Sequence, residues 1–171
     1  MGMIASYQMI DDPKIGQLLS KDEDDIYGEI DAVLEETQDD PDEVIDIDKL
    51  WDGLHFLLTG VSACEPTEGD PISEAIVGTA KIIEDEDETF AYVRRERVSA
   101  IAEALNGIDI DALIEGFQPE KFEQNGIYPN GWQDEDKEEL QRSLKECFMG
   151  LKKFYDMTAD KKKGIIISVC Y

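Results

Sequence analysis

Along this chain the apolar positions change their spacing several times, and each change marks an element. Met1 to Ile10 (MGMIASYQMI) is dense in β-formers and large apolar residues and predicts a first strand. Asp12-Pro13 supplies a helix cap with proline at the first helical position, and Ile15, Leu18 and Leu19 form the apolar face of the short helix that follows. Ile26, Ile30, Val33 and Leu34 then recur at helical spacing with acids on the outer side. Thr37 to Glu43, which contains Pro41, is a polar connection.

The next helix runs from about Ile47 to Thr59 and is closed by Gly60, in the position that favours a left-handed residue. Cys64 to Gly69 is a loop, and Asp70-Pro71 repeats the cap-plus-proline device before Ile72–Val77, which Gly78 ends. Ala80–Ile83 and Thr89–Val93 predict two strands of a hairpin with the charged run EDEDE (Glu84–Glu88) at its tip. Val98, Ile101, Ala102 and Leu105 mark another helix, stopped by Asn106-Gly107, and Ile110, Leu113, Ile114 and Phe117 mark one more. Two further Asn-Gly pairs punctuate a loop through Tyr128, Pro129 and Trp132. Leu140, Leu144, Cys147, Phe148, Leu151, Phe154 and Tyr155 give the clearest amphipathic helix. Gly164 leads into Ile165–Tyr171, a β-rich end expected in the interior of the sheet. The order strand, helices, strands, helices, strand predicts a single compact α+β domain over residues 1–171, with a small mixed sheet holding both terminal strands.

The helix at 47–59 carries the most chemistry. Ile47, Leu50, Trp51, Leu54, Leu57 and Leu58 share one broad face, whereas Asp48, Asp52, His55 and Thr59 line the other, with Phe56 among them. His55 is the chain's only histidine, and Asp52 lies three residues before it, close enough in a helix to orient an imidazole as a general base. Asp52 and His55 are therefore the catalytic candidates. The plainer account makes Trp51 core, with His55 near a helix C-terminus that favours a donor and Asp52 as its local support. Phe56 on the polar side means that the helix is buried on both sides or borders a groove. Trp51, Phe56, Thr59, Tyr128 and Trp132 are the binding candidates, the last two because aromatics on a turn-rich loop form either binding rims or half-buried lids. Arg94, Arg95 and Arg97 form the one arginine cluster, whose plainest role in so acidic a chain is internal ion pairing.

Charge changes the picture most. Of 171 residues, 41 are acidic and 16 basic, a formal net charge of −25. Asp22 to Asp48 holds fourteen acids and no base. Such a field repels nucleic acid and anionic membrane surfaces and attracts basic partners. EDEDE reads as a solvated tip and not as a metal site, since hard cations need inward oxygens around a tight bend, usually with glycine. A single histidine and three cysteines without metal-ligand spacing give no metal centre, and no cofactor fingerprint, phosphate loop or nucleophile elbow occurs. The odd cysteine count and the lack of a secretory segment predict reduced thiols and a cytoplasmic setting. No apolar run reaches the ~18 residues of a membrane span. The first six residues fit a loose myristoylation pattern but read better as strand.

With these pieces placed, the chain resembles the YfbM-like family, bacterial proteins grouped under a domain of unknown function. The likeness is carried by MGMIASY at the start, DKLWDGLHFLLTG at 48–60, DPISEAIVG at 70–78, the Val98–Leu105 helix, the Ile127-Tyr128-Pro129 step and the aromatic helix before the last strand. It implies a compact α+β fold with the WDxLHFLLTG helix at its heart, and it brings no established activity. The expected function is a non-catalytic interaction protein whose acidic surface binds a basic protein partner, for instance a toxin or nuclease neutralised in the manner of small acidic immunity proteins. The alternative is a small-molecule-binding protein or enzyme with a pocket around Asp52, His55 and Thr59, closed by Tyr128 or Trp132. A third role, purely structural or oligomeric, would show as a large apolar patch used symmetrically.

Overall fold

A computed structural model describes residues 2–170. Its strands are β1 (Ile4–Ile10), β2 (Val44–Asp46), β3 (Ala80–Glu84), β4 (Glu88–Val93) and β5 (Gly164–Cys170), in the spatial order β2-β1-β5-β4-β3. The helices are α1 (Asp12–Leu19), α2 (Glu23–Glu35), α3 (Trp51–Thr59), α4 (Pro71–Val77), α5 (Arg95–Asn106), α6 (Ile110–Glu115), α7 (Pro119–Gln124) and α8 (Lys137–Lys161). The α+β class and the central place of the C-terminal strand follow the sequence expectation. The ends of the two predicted terminal strands, Met1 and Tyr171, lie outside the described residues.

The sheet is antiparallel throughout, which corrects the expectation of a mixed one. A parallel neighbour needs a crossover that returns the chain to its starting end. Here α5 to α8 bring it back to where β4 finished, so that Val93 at the end of β4 pairs with Ile165 at the start of β5. β1 lies on the other side of β5 and also ends beside its start, Ile10 opposite Gly164.

Strand alternation sorts the core into two layers. Ala5, Tyr7, Met9, Ala91, Val93, Ile165 and Ile167 face the larger layer, where Leu54 of α3, Ala75 and Ile76 of α4, Ile101 and Leu105 of α5 and the buried stripe of α8 meet them. That stripe is Leu144, Phe148, Leu151, Phe154, Tyr155 and Thr158, the i, i+3, i+4 rhythm that made this helix legible. Ile10, Phe90 and Ile166 face the smaller layer, closed by Ile15 and Leu18 of α1 and Ile26 and Ile30 of α2. Two buried tyrosines fasten α4 to the larger layer: Tyr7 Oη donates to the Ile76 carbonyl and Tyr155 Oη to that of Ala75, each at 2.8 Å.

Two elements fall outside the sequence expectation and one boundary moves. β2 occupies three residues at the end of the acidic connection, and α7 occupies the stretch before the Asn-Gly loop. α3 begins at Trp51, not Ile47. Asp48 adopts a left-handed φ of 49° and Asp48–Leu50 forms a single 3₁₀ turn, which sets Ile47 into the core ahead of the helix proper.

Candidate functional site

α3 stops at Gly60, whose φ of 81° is the left-handed conformation that suits glycine, and its N–H caps the Phe56 carbonyl at 2.8 Å. This reversal folds residues 61–63 back against the polar side of α3, so the side that should have been wet is covered there. The geometry explains how the sequence came to place His55 and Asp52 there.

His55 is fully buried. Its Nδ1 lies 2.8 Å from the Val61 carbonyl oxygen. A carbonyl only accepts, so Nδ1 carries the proton and Nε2 is left as an acceptor. Nε2 accepts a hydrogen bond from the Ser73 hydroxyl at 2.6 Å, and Ser73 Oγ in turn accepts the Thr67 N–H at 3.1 Å. Burial pushes the His55 pKa below the usual histidine value, and the Val61 carbonyl and the charges of Asp52 and Asp70 oppose that only in part. The imidazole is thus neutral, with both nitrogens engaged, and it ties α3 to α4 and to both ends of the loop between them. Thr59 Oγ1 donates back to the His55 carbonyl at 2.7 Å, within the helix.

Asp52, 1 % exposed, makes no hydrogen bond to His55, although the two are one turn apart. Its Oδ1 accepts the Ser62 hydroxyl at 2.9 Å and the Ala63 N–H at 2.7 Å, while Oδ2 accepts the Tyr128 N–H at 2.8 Å. The expected Asp52–His55 pair is therefore absent. The carboxylate and the imidazole are two separate clamps, one joining α3 to residues 62–63 and to the segment after α7, the other joining α3 to Val61 and α4.

The aromatic candidates are divided between core and groove. Trp132 is buried, donates its indole N–H to the Ile127 carbonyl at 2.8 Å, and packs against Phe117 and Phe122. It also lies so close to Gly53 that a β-carbon there would come within 2.3 Å of the ring, which is why α3 carries a glycine in mid-helix. Trp132 is core, not a rim residue. Phe56 is half-buried and stands edge-on to Phe122 of α7, with centroids 4.9 Å apart. Tyr128 is half-buried and lies over Trp51 at 5.8 Å, and Trp51 Nε1 donates to the Met3 carbonyl at 3.3 Å. Among these candidates only Trp51 lines the groove described next.

That groove, of about 470 Å³, lies at the open end of the larger layer. Its floor is apolar, with Met3, Trp51, Val77, Ala91, Ile167 and Val169. One wall is the loop at Ala63–Cys64, which Asp52 and Ser62 hold in place, and another is the β3–β4 hairpin. Residues 84–88 form the rim. Asp85 organises the hairpin tip: it accepts the Asp87 N–H at 2.8 Å, the Glu88 N–H at 2.9 Å and the Tyr27 hydroxyl of α2. The Tyr27 contact and those two N–H groups hold its carboxyl below the usual range. Glu84 is paired with Lys81 at 2.6 Å, whereas Glu86 and Asp87 have no basic partner among the described residues. A smaller cavity of about 360 Å³ lies on the other side of the loop, against Ser73 and Glu74, and His55 lines neither.

The arginines pair within the chain, Arg94 and Arg97 with largely buried carboxylates and the exposed Arg95, among the described residues, only with its neighbour Glu96 at 3.6 Å. Arg94 bonds Asp12 at 2.8 Å and Arg97 bonds Glu74 at 2.5 Å. Arg94 holds Asp12 below the ordinary carboxylate pKa. Among the described residues no group of three or more His, Cys, Asp or Glu side chains converges as metal ligands would, and no helix is long and apolar enough to cross a membrane.

Residues 1–168 match the family described as DUF1877, a domain of unknown function. Protein YfbM of Escherichia coli strain K12 is 33% identical over 129 residues, which is 75% of this chain and 74% of that protein. The crystal structure of YfbM from Escherichia coli, a protein of unknown function, superposes with a TM-score of 0.76 at 26% identity, over 97% of this chain and 99% of that one.

Proposed function

The chain belongs to the DUF1877 family, a domain of unknown function, and from that premise we propose that it is a non-catalytic, cytoplasmic interaction protein whose acidic surface binds a basic protein partner. The observation that carries this reading is how little of the negative charge is neutralised internally. The ion pairs among the described residues engage nine of the 41 acids. From Asp22 to Asp48 every acid except Glu29 and Glu43 is exposed. Like charges left unpaired on one molecule destabilise its compact state, and they speed encounter with an oppositely charged partner.

The alternative, a small-molecule or catalytic site around Asp52, His55 and Thr59, has less support. All three polar groups are occupied by hydrogen bonds within the fold, and neither cavity reaches the imidazole.

Affinity capture on the immobilised chain from a bacterial extract tests the proposal. The expected result is recovery of a basic protein that is released as salt rises from about 0.05 to about 0.5 M, where screening shortens the reach of surface charges severalfold. Recovery of no basic protein, or retention indifferent to salt, overturns it.

A further inference from the structure

We propose that the apolar groove between the β3–β4 hairpin and the Ala63–Cys64 loop seats a segment of the basic partner, one that carries a large apolar side chain flanked by lysine or arginine. This rests on the reading of the acidic surface as a partner-binding one, and it assigns that partner a place and a chemistry.

The floor and the rim ask for different things from an occupant. Met3, Val77 and Val169 are only half-buried, and Ala80 is exposed, so part of the floor stays open to water. A volume of about 470 Å³ lies within the range of sites that enclose a bound group of one or two large side chains. The hairpin lines the same groove with Glu84, Glu86 and Asp87, while the carboxylate of Glu88 turns to Cys170 on the other face of the sheet, and Lys81 is the one basic residue on the lining. A purely apolar segment would be placed against carboxylates that lose hydration with nothing in return. A purely basic one would leave the floor wet. A segment with both satisfies both, because lysine and arginine lay their methylene stems along apolar surface while the charged head stays at the rim.

Two features prepare the groove in advance. Asp85 pins the backbone of the hairpin tip, so the turn that carries Glu86 and Asp87 is set before a partner arrives. β3 is the edge strand of the sheet, so its outer backbone groups lie open to an extended segment beside the groove.

The test uses the full chain and a labelled synthetic peptide with one leucine or phenylalanine between pairs of arginines, read by fluorescence anisotropy. Companion peptides carry glutamine for every arginine, or glycine for the apolar residue. Three variants are compared with the wild type. The first is the rim triple Glu84→Gln, Glu86→Gln, Asp87→Asn. The second is the distal triple Glu96→Gln, Glu103→Gln, Asp160→Asn, which removes the same charge from exposed positions on α5 and the end of α8, at the end of the sheet opposite the hairpin. The third is Ala80→Trp, which fills the groove from an exposed position. The rim triple is expected to weaken binding roughly tenfold and the distal triple by less than roughly twofold, because salt screens charges farther from the bound peptide than about a Debye length. Ala80→Trp should weaken binding at least as much as the rim triple, and both companion peptides should bind poorly. Bound peptide should also shield Cys64, which lines the groove and is exposed, from a thiol reagent.

Equal loss in the two triples, with Ala80→Trp and the glycine peptide binding like their parents, overturns the groove but keeps the acidic-surface reading. Absence of salt-sensitive binding by any peptide overturns both.

Discussion

Replacing Asp52 with alanine removes one acceptor that serves three donors. The Ala63 N–H is buried and the Tyr128 N–H is partly so, while the Ser62 hydroxyl is near enough to the surface to turn to water. A buried donor left without an acceptor costs about 1–3 kcal/mol, so two of them place the loss at about 2–6 kcal/mol. Against a typical total stability of about 5–15 kcal/mol that is a large fraction. Asp52→Asn should lose less, because its one carbonyl oxygen still accepts, yet its amide group then confronts a donor on the other side. Urea unfolding followed by fluorescence checks this through the midpoint at unchanged slope. Hydrogen exchange should locate the effect at the Ala63 and Tyr128 amides. A catalytic carboxylate behaves in the opposite way, since removing a strained active-site group commonly leaves stability unchanged or raised. If Asp52→Ala matches or exceeds the wild type in stability, the clamp account fails.

Three further outcomes follow from the same contacts. His55 is held neutral, with its pKa below the ordinary value, so the unfolded chain takes up a proton first as pH falls. Stability from this group is fully present above about pH 6.5 and is lost below it with a slope of at most about 1.4 kcal/mol per pH unit. The advantage of wild type over His55→Asn should therefore shrink between about pH 7 and about pH 5, and parallel stability curves for the two would contradict this. Gly53→Ala drives a methyl group into the Trp132 ring and should cost about 1–3 kcal/mol in the same urea assay. Of the three free thiols only Cys64 is exposed, and burial pushes Cys147 and Cys170 up to about 11. A thiol reagent at neutral pH should thus modify one cysteine per folded chain quickly, and Cys64→Ser should abolish that fast phase.

How far the sequence could be read depended on the kind of signal. Long periodic elements were legible: the α8 stripe, the Asp70-Pro71 start of α4, the Gly60 stop and the β3–β4 hairpin all stand where pattern and cap chemistry put them. β2 is three residues in an acidic run, too short to show alternation, and gains its identity only from pairing with β1. Whether strands pair parallel or antiparallel depends on how the connections return the chain, which hydrophobic period does not inform, so the antiparallel sheet is not legible in the pattern. At α3 the polar face was correctly located but its partners were not. Asp52 and His55 are neighbours by helical arithmetic, yet each turns to a different stretch of chain, and the loop that covers them has no apolar period to announce it. Ser73 was hidden for the same reason, since its role comes from a histidine eighteen residues away. The floor of the groove was the least legible feature, because it draws single residues from the N-terminus, α3, α4 and the sheet.

The central claim is that the acidic surface recognises a basic partner, and the most direct measurement is the salt dependence of the complex with the protein that affinity capture recovers. Titration calorimetry at a series of salt concentrations should show the dissociation constant rising steadily with salt, and the rim triple should lower both the affinity and the slope. An affinity that stays level across the series, with the rim triple binding as the wild type does, would contradict the account.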